Sequence, residues 1–295
     1  MYINHIKLIG SNANIIPAVA LAIFAATAQS TTAAIAKHLV RDYPVTQILC
    51  ARNAVLVSLV LISVRFCDWS RLLDINQPIL QISRAIFPLL ASFLMFLALK
   101  YIPLADATAI IFAAPLFIIL LSIWALGEKV GAMLWAAVLI GFVGVSIVLR
   151  PGTDAAHWAA VLLLIAAAFI ALYQVITKIM TASVSPSSTL LVTGAVGTVC
   201  TAVFMPFFWI EPDLLGWSML VASGVTFALG HYCWFKALSL APASVLAPLI
   251  YTQIVAAILL GVVLFQEIPE FQTVFGMAII MASGFLIFLN RQPTQ

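Results

Sequence analysis

The sequence predicts an all-α polytopic membrane protein, with ten transmembrane helices in two inverted five-helix repeats. Three observations predict it. Of 295 residues, 64% are hydrophobic and only 8% charged, against about a quarter charged in a soluble domain. Such a chain lacks the charge to cover a water-facing surface. Its apolar residues fall into runs of roughly 20, the length a helix needs to cross a hydrocarbon core. A stretch of the first half also recurs in the second.

Ten runs qualify, at 15–36, 45–65, 79–99, 104–126, 130–149, 156–177, 187–209, 214–238, 243–265 and 270–289. The first follows Lys7 but is too long for the apolar core of a signal peptide, so it reads as a retained span. Breakers fill the short connections: Asp42-Tyr43-Pro44, Arg150-Pro151-Gly152, Ser185-Pro186-Ser187 and Glu211-Pro212-Asp213. The longest connection lies near 66–78. No stretch is left for a soluble domain, so function must reside among the spans.

Basic residues orient the chain. With the N-terminus cytoplasmic, the inner side holds Lys7, Arg65, Arg71, Arg84, Lys129, Lys178, Lys236 and Arg291. The outer side holds Lys37, Arg41, Lys100 and Arg150, a two-to-one bias for that orientation. An even number of spans returns the C-terminus to the cytoplasm as well.

The repeat pairs FLALKYIPLADATAIIFAAPLFIILLSIWALGEKV (96–130) with FKALSLAPASVLAPLIYTQIVAAILLGVVLFQEIP (235–269). One constant offset aligns Phe96 with Phe235, Pro103 with Pro242 and Glu128 with Glu267, and about a quarter of the positions are identical. Five spans per half is odd, so the second half, 153–295, must be inverted relative to the first, 1–152. Inverted repeats mark secondary transporters, whose substrate site lies near the midplane between the halves.

ALKYIPLADATAIIFAAPLF (98–117), LGEKV (126–130), GFVGVSIVLRPG (141–152), Arg52 and KALSLAPASVLAPL (236–249) together resemble the drug/metabolite transporter superfamily, in its ten-helix EamA-type branch. The resemblance covers nearly the whole chain. It implies a basket in which helices 1, 3, 4, 6, 8 and 9 line a central cavity while helices 5 and 10 pack outside as a pair. It also implies a multi-pass protein of the bacterial inner membrane, a monomer or homodimer, moving a small organic molecule with no cofactor. Family members carry amino acids, S-adenosylmethionine, riboflavin, metal-chelating metabolites or drugs. LADATAI resembles the vitamin and S-adenosylmethionine uptake members most, which points to an aromatic or zwitterionic metabolite. Amino acid or drug export is the alternative within the fold. The competing classes are a lipid handler, flippase-like within the same fold, a channel and a non-transporting membrane partner.

The polar residues inside the spans are the candidates for a site. Helix 1 carries Gln29, Ser30, Thr31 and Thr32; helix 6 carries Tyr173, Gln174, Thr177 and Lys178. Helix 8 adds His231 and Trp234, and helix 9 adds Tyr251, Thr252 and Gln253. As a set they suit a planar, hydrogen-bonding solute, although Ser, Thr and Gln also join helices to one another. His231 is either a structural hydrogen-bond partner or a proton carrier. Asp106, three residues after Pro103, is expected as a capping acid in a first helical turn, or else as a coupling carboxylate. Pro115 and Pro248 interrupt helices 4 and 9 and read as packing kinks or as hinges. Arg52 lies well inside helix 2, where it is expected to bond backbone carbonyls or to serve gating. Arg84, at the cytoplasmic edge of helix 3, is expected to report topology.

Other classes are excluded by what is missing. No GxxxxGK[ST] run supports an ATP-driven pump, and no HExxH or Ser/His/Asp pattern supports an intramembrane enzyme. The four scattered cysteines, Cys50, Cys67, Cys200 and Cys233, suggest neither disulfides nor a zinc site. The net charge of +3 is small, and no basic run is dense enough to track a phosphate backbone, so no nucleic acid is expected as a partner.

Overall fold

The computed structural model describes residues 15–64, 78–126, 131–150, 158–180, 186–241 and 243–290. Among them there are helices and turns but no strand. Among the described residues, eight helices are long and apolar enough to cross a membrane, and two shorter apolar ones, Ser188–Ala202 and Phe271–Leu286, complete ten segments.

The first repeat comprises α1 (Ile15–Leu39), α2 (Val45–Val64), α3 (Pro78–Ala98), α4 (Leu104–Ile111), α5 (Ala114–Leu126) and α6 (Ala132–Leu149). The second comprises α7 (Ala159–Met180), α8 (Pro186–Ala202), the single turn α9 (Met205–Phe208), α10 (Leu214–Leu240), the turn α11 (Ala243–Leu246), α12 (Thr252–Phe265) and α13 (Phe271–Asn290). A 3₁₀ segment, Ala247–Tyr251, joins α11 to α12. The fourth span is therefore α4 plus α5, and the ninth is α11, the 3₁₀ turn and α12.

The helices pair as a pseudo-two-fold axis requires. The first span packs on the eighth (α1 on α10), and its repeat equivalent, sixth on third (α7 on α3), is also present. The second packs on the seventh, the fifth on the tenth and the fourth on the ninth, each pair its own equivalent. Secondary contacts obey the same rule: α1 touches α12 as α7 touches α5, and α2 touches α10 as α8 touches α3.

Small residues permit these approaches. In lipid, helices associate by close packing rather than by expelling water, so Gly, Ala and Ser collect where backbones meet. Ala18, Ala22, Ala25 and Ala28 form the buried face of α1. Between α6 and α13 the fit is mutual: a Cβ on Gly144 would lie 2.9 Å from the Gly276 carbonyl, and one on Gly276 would lie 2.8 Å from that of Gly144. Ser283 of α13 adds a bond to the Ala137 carbonyl at 2.7 Å. The fifth and tenth spans thus form the packed pair that the resemblance implies.

Candidate functional site

The fourth and ninth spans break near their middles, and the prolines say why. Pro115 has no N–H to offer the Ile111 carbonyl and disfavours α geometry at Ala114. The chain answers with tight turns before it: Phe112 N–H donates to Ala109 at 3.2 Å and Ala113 N–H to Ile110 at 2.9 Å. Pro248 similarly opens the 3₁₀ turn that ends at Tyr251. The prolines are not at equivalent repeat positions, but the breaks coincide. The offset that aligns Phe96 with Phe235 also aligns Phe112 with Tyr251, and these two rings stack with centroids 5.1 Å apart and planes at 29°. A Cβ on Gly284 would overlap the Tyr251 hydroxyl, so the tenth span carries glycine where that ring needs room.

Around this level lies a polar cluster built by α1, α2, α3 and α10, buried at Arg52, Ser30 and Thr32 and half-buried at Gln29, Ser92, Thr226 and His231. Phe227 is the middle residue of α10, and Arg52 lies about 4 Å along the axis from the middle of α2 at 1.5 Å per residue. The Arg52 guanidinium sits 4.1 Å from the Phe227 ring centroid and 5.3 Å from that of Phe96. Its Nη1 donates to Ser92 Oγ at 3.3 Å. Arg52 thus finds a hydroxyl and two aromatic faces in place of the expected carbonyls. On its other side Phe227 meets His231, with ring centroids 4.3 Å apart. His231 Nδ1 lies 2.9 Å from the Gln29 amide nitrogen and 3.0 Å from the Phe227 carbonyl. Beside them the Thr32 and Thr226 hydroxyls meet at 2.9 Å, and Ser30 donates to the Gln253 carbonyl at 2.7 Å.

Not every candidate joins this cluster. Trp234 packs among Ala18, Ala22 and Leu246 in a separate apolar contact. Gln253 contributes its backbone carbonyl. Tyr173 belongs to a second polar group with Arg84, whose guanidinium lies 5.6 Å from the Tyr173 ring and donates to the Thr189 carbonyl at 3.4 Å. Arg84 is 3% exposed, a buried residue of the third span. Gln174 is exposed on α7. Glu128, Lys129 and the side chain of Lys178 lie outside the described residues.

Asp106 does not cap α4. Pro103 occupies the N-cap with no side-chain bond from that helix's own residues. The acceptor comes from the other repeat: Glu267 Oε2 takes the Leu104 N–H at 3.0 Å. Glu267 is delivered there by the end of α12, where Gln266 adopts the left-handed conformation (φ 57°) and the Glu267 N–H returns to the Gly261 carbonyl at 3.0 Å. The same carboxylate pairs with Lys37 Nζ at 2.6 Å, and Lys37 also donates to the Ile102 carbonyl at 2.8 Å. Asp106 instead faces Thr273 of α13. Thr273 in turn accepts from Arg150, which pairs with Glu270 at 2.6 Å. This end of the bundle is therefore bolted by two ion pairs. Sequence reading missed the Glu267 cap, whose only signal was the aligned Glu128 and Glu267.

Two hollows lie away from the polar cluster. One, of about 200 Å³, sits among Lys37, Arg41, Lys100 and Glu267 at the bolted end. The other, about 620 Å³, is a crevice between α2, α3, α8 and α9, lined by apolar side chains with Lys100 as its one charged residue. Among the described residues, no group of three or more His, Cys, Asp or Glu could hold a metal ion.

Broken helices meeting on a pseudo-two-fold axis, beside a polar cluster, define the architecture of a membrane transporter. The chain belongs to the EamA-like transporter family, whose model matches twice, at residues 16–150 and 157–289. It is 28% identical to an S-adenosylmethionine uptake transporter of Rickettsia bellii, over 66% of this chain and 67% of that one. It is 30% identical to a riboflavin transporter of Vibrio cholerae, over 67% and 66%. With a pseudopaline exporter of Pseudomonas aeruginosa it shares 27% identity over 90% and 93%. A crystal structure at 19% identity superposes with a TM-score of 0.62, covering 95% of this chain and 98% of that one, and so has the same fold.

Proposed function

We propose that the protein is a secondary transporter that moves a small organic metabolite across the bacterial inner membrane by alternating access. It works between two five-helix repeats, 1–152 and 153–295, with both termini cytoplasmic. The observation that carries this reading is the meeting of Phe112 and Tyr251, repeat equivalents stacked where both central spans break. Discontinuous helices at the repeat interface mark transporter substrate sites, because loosened backbone there is covered by protein or cavity. In this orientation the Lys37–Glu267 end is the outer one, and its two ion pairs hold it shut. Opening it while closing the opposite end is the exchange that alternating access needs. Gln29, Thr32, His231, Arg52 and Tyr251 stand between the repeats, where the metabolite would pass.

Relatives named for S-adenosylmethionine uptake, riboflavin transport and pseudopaline export support a small metabolite as substrate, for which we infer planar or zwitterionic parts. A flippase would present a basic lateral opening to lipid headgroups, and the lateral crevice carries a single lysine.

The test is flux of labelled riboflavin, S-adenosylmethionine and aromatic amino acids in vesicles of defined orientation. Saturable, competable flux of one compound, with acceleration by counterflow, is the expected result. A pH jump across the same vesicles reads proton coupling. Flux without saturation or counterflow would indicate a channel. No flux of any member, from protein shown to be folded, would overturn the metabolite reading.

A further inference from the structure

Among the described residues Arg52 is a charge without a counter-ion. It is 4% exposed and lies near mid-depth. Both ion pairs among the described residues, Lys37–Glu267 and Arg150–Glu270, lie at the bolted end and neither involves it. A guanidinium has five N–H donors in one plane. The bond to Ser92 is long at 3.3 Å, and the buried Nε has no partner. Phe227 and Phe96 attract the cation through their ring faces, but ring faces do not substitute for two oxygens in the guanidinium plane. An unpaired buried charge costs several kcal/mol. A helix-joining role would be met more cheaply by a serine or a glutamine at this position.

A second buried group without a partner stands on the facing helix. Ser223 is 0% exposed and its hydroxyl is unbonded. It precedes Phe227 by four residues, so the two share a face of α10. The helices touch at this level: a Cβ on Gly224 would lie 3.0 Å from the Arg52 carbonyl. Arg52 comes from the first repeat and Ser223 from the second, so both belong to the interface at which access alternates.

We propose that Arg52 is the counter-ion for a carboxylate carried by the transported metabolite, its Nε edge meeting the carboxylate oxygens while Phe96 and Phe227 hold the guanidinium in place. The inference rests on the transporter reading and narrows it. The substrate class becomes carboxylate-bearing metabolites, zwitterionic amino-acid-like compounds foremost. Riboflavin, which has no carboxylate, is disfavoured. The planar fork of arginine matches a carboxylate with two parallel bonds, which lysine cannot reproduce.

The experiment titrates wild-type protein in lipid nanodiscs with matched pairs differing only by the carboxylate. These are S-adenosylmethionine and its decarboxylated analogue, phenylalanine and phenethylamine, and tryptophan and tryptamine, with riboflavin and sodium chloride alongside. For the pair that binds, removal of the carboxylate is expected to weaken binding about 100-fold, the scale of an uncompensated buried charge. Arg52→Met should abolish the distinction within the pair, and Arg52→Lys should restore only part of it. The wild-type comparison stands even if neither variant folds. Equal binding within every pair overturns the proposal and leaves the transporter reading intact. So does binding of riboflavin alone. Chloride competing as strongly as the carboxylate compound, with no difference within its pair, also overturns it, by making Arg52 a free-anion site. Binding of none of the probes, with no flux in vesicles, overturns both readings together.

Discussion

Glu267→Gln tests how the bolted end is held. Glu267 does two things at once: it neutralises Lys37 at 2.6 Å and accepts the first free N–H of α4 at 3.0 Å. Glutamine keeps an acceptor for Leu104 but removes the charge. Lys37 then stays buried, its side chain 6% exposed, with the Ile102 carbonyl as its remaining protein acceptor. Breaking a buried pair by removing one partner costs about 3–5 kcal/mol. The Glu267 side chain is 24% exposed, so solvent screens part of this and the expected loss is about 2 kcal/mol. Lys37→Met should cost less, about 1 kcal/mol, because the remaining carboxylate can turn to water and still cap α4. The double variant should be better than the sum of the singles by about 1.5 kcal/mol. The assay is a double-mutant cycle on unfolding of the detergent-solubilised protein. A loss of 2 kcal/mol in the closed arrangement corresponds to about a 30-fold shift toward the open one, readable as faster labelling of a cysteine placed in the hollow beside Lys37. Additive single costs, within about 0.3 kcal/mol, would refute the pairing as a lock.

Two further substitutions probe the site. Pro115→Ala restores the missing N–H and lets α4 and α5 join into one helix. Membrane levels should be normal and turnover reduced about tenfold, the scale of a lost conformational step; wild-type kinetics would refute a hinge. Asp106→Asn keeps a hydrogen-bonding group opposite Thr273, so stability should fall by about 1 kcal/mol or less, with flux preserved. Flux abolished at normal membrane levels would make Asp106 a coupling carboxylate.

The fold was legible because lipid imposes coarse rules. Run length gives the spans, the odd number per half gives inversion, and the Pro103/Pro242 and Glu128/Glu267 matches give the register. The site was legible by composition but not by partner. Arg52, Phe96 and Phe227 come from three different spans, and no local spacing announces that they meet. Asp106 obeys every local rule for a capping acid, yet a carboxylate from the other repeat occupies the cap. Gln174 illustrates the reverse: one residue from Tyr173 in sequence, it turns to an exposed side of α7 because a helix rotates about 100° per residue. The Phe112–Tyr251 pair was present in the repeat alignment. It is hidden there because aromatic and aliphatic matches are common in apolar helices and carry little weight until the rings are seen to stack.

The pseudo-symmetry also says where motion is affordable. A transporter needs two arrangements within a few kcal/mol of each other. At the α6–α13 pair, Gly144 and Gly276 bring the backbones within reach of one another's missing Cβ, so any slide there separates close-packed main chain. The fourth and ninth spans differ. Their breaks have already given up regular α bonding, and at the breaks themselves they meet through the Phe112–Tyr251 stack, an interaction of about 1 kcal/mol beyond its buried area. Beyond that stack the fourth span is tied to the end of the ninth by Glu267 and Lys37, at a cost to release of about 2 kcal/mol. The rigid pair stands outside and the weakly joined pair at the centre. Under the proposed transport reading, small differential contacts with a substrate between the repeats are of the right size to tip the central spans, while the close-packed α6–α13 seam resists sliding.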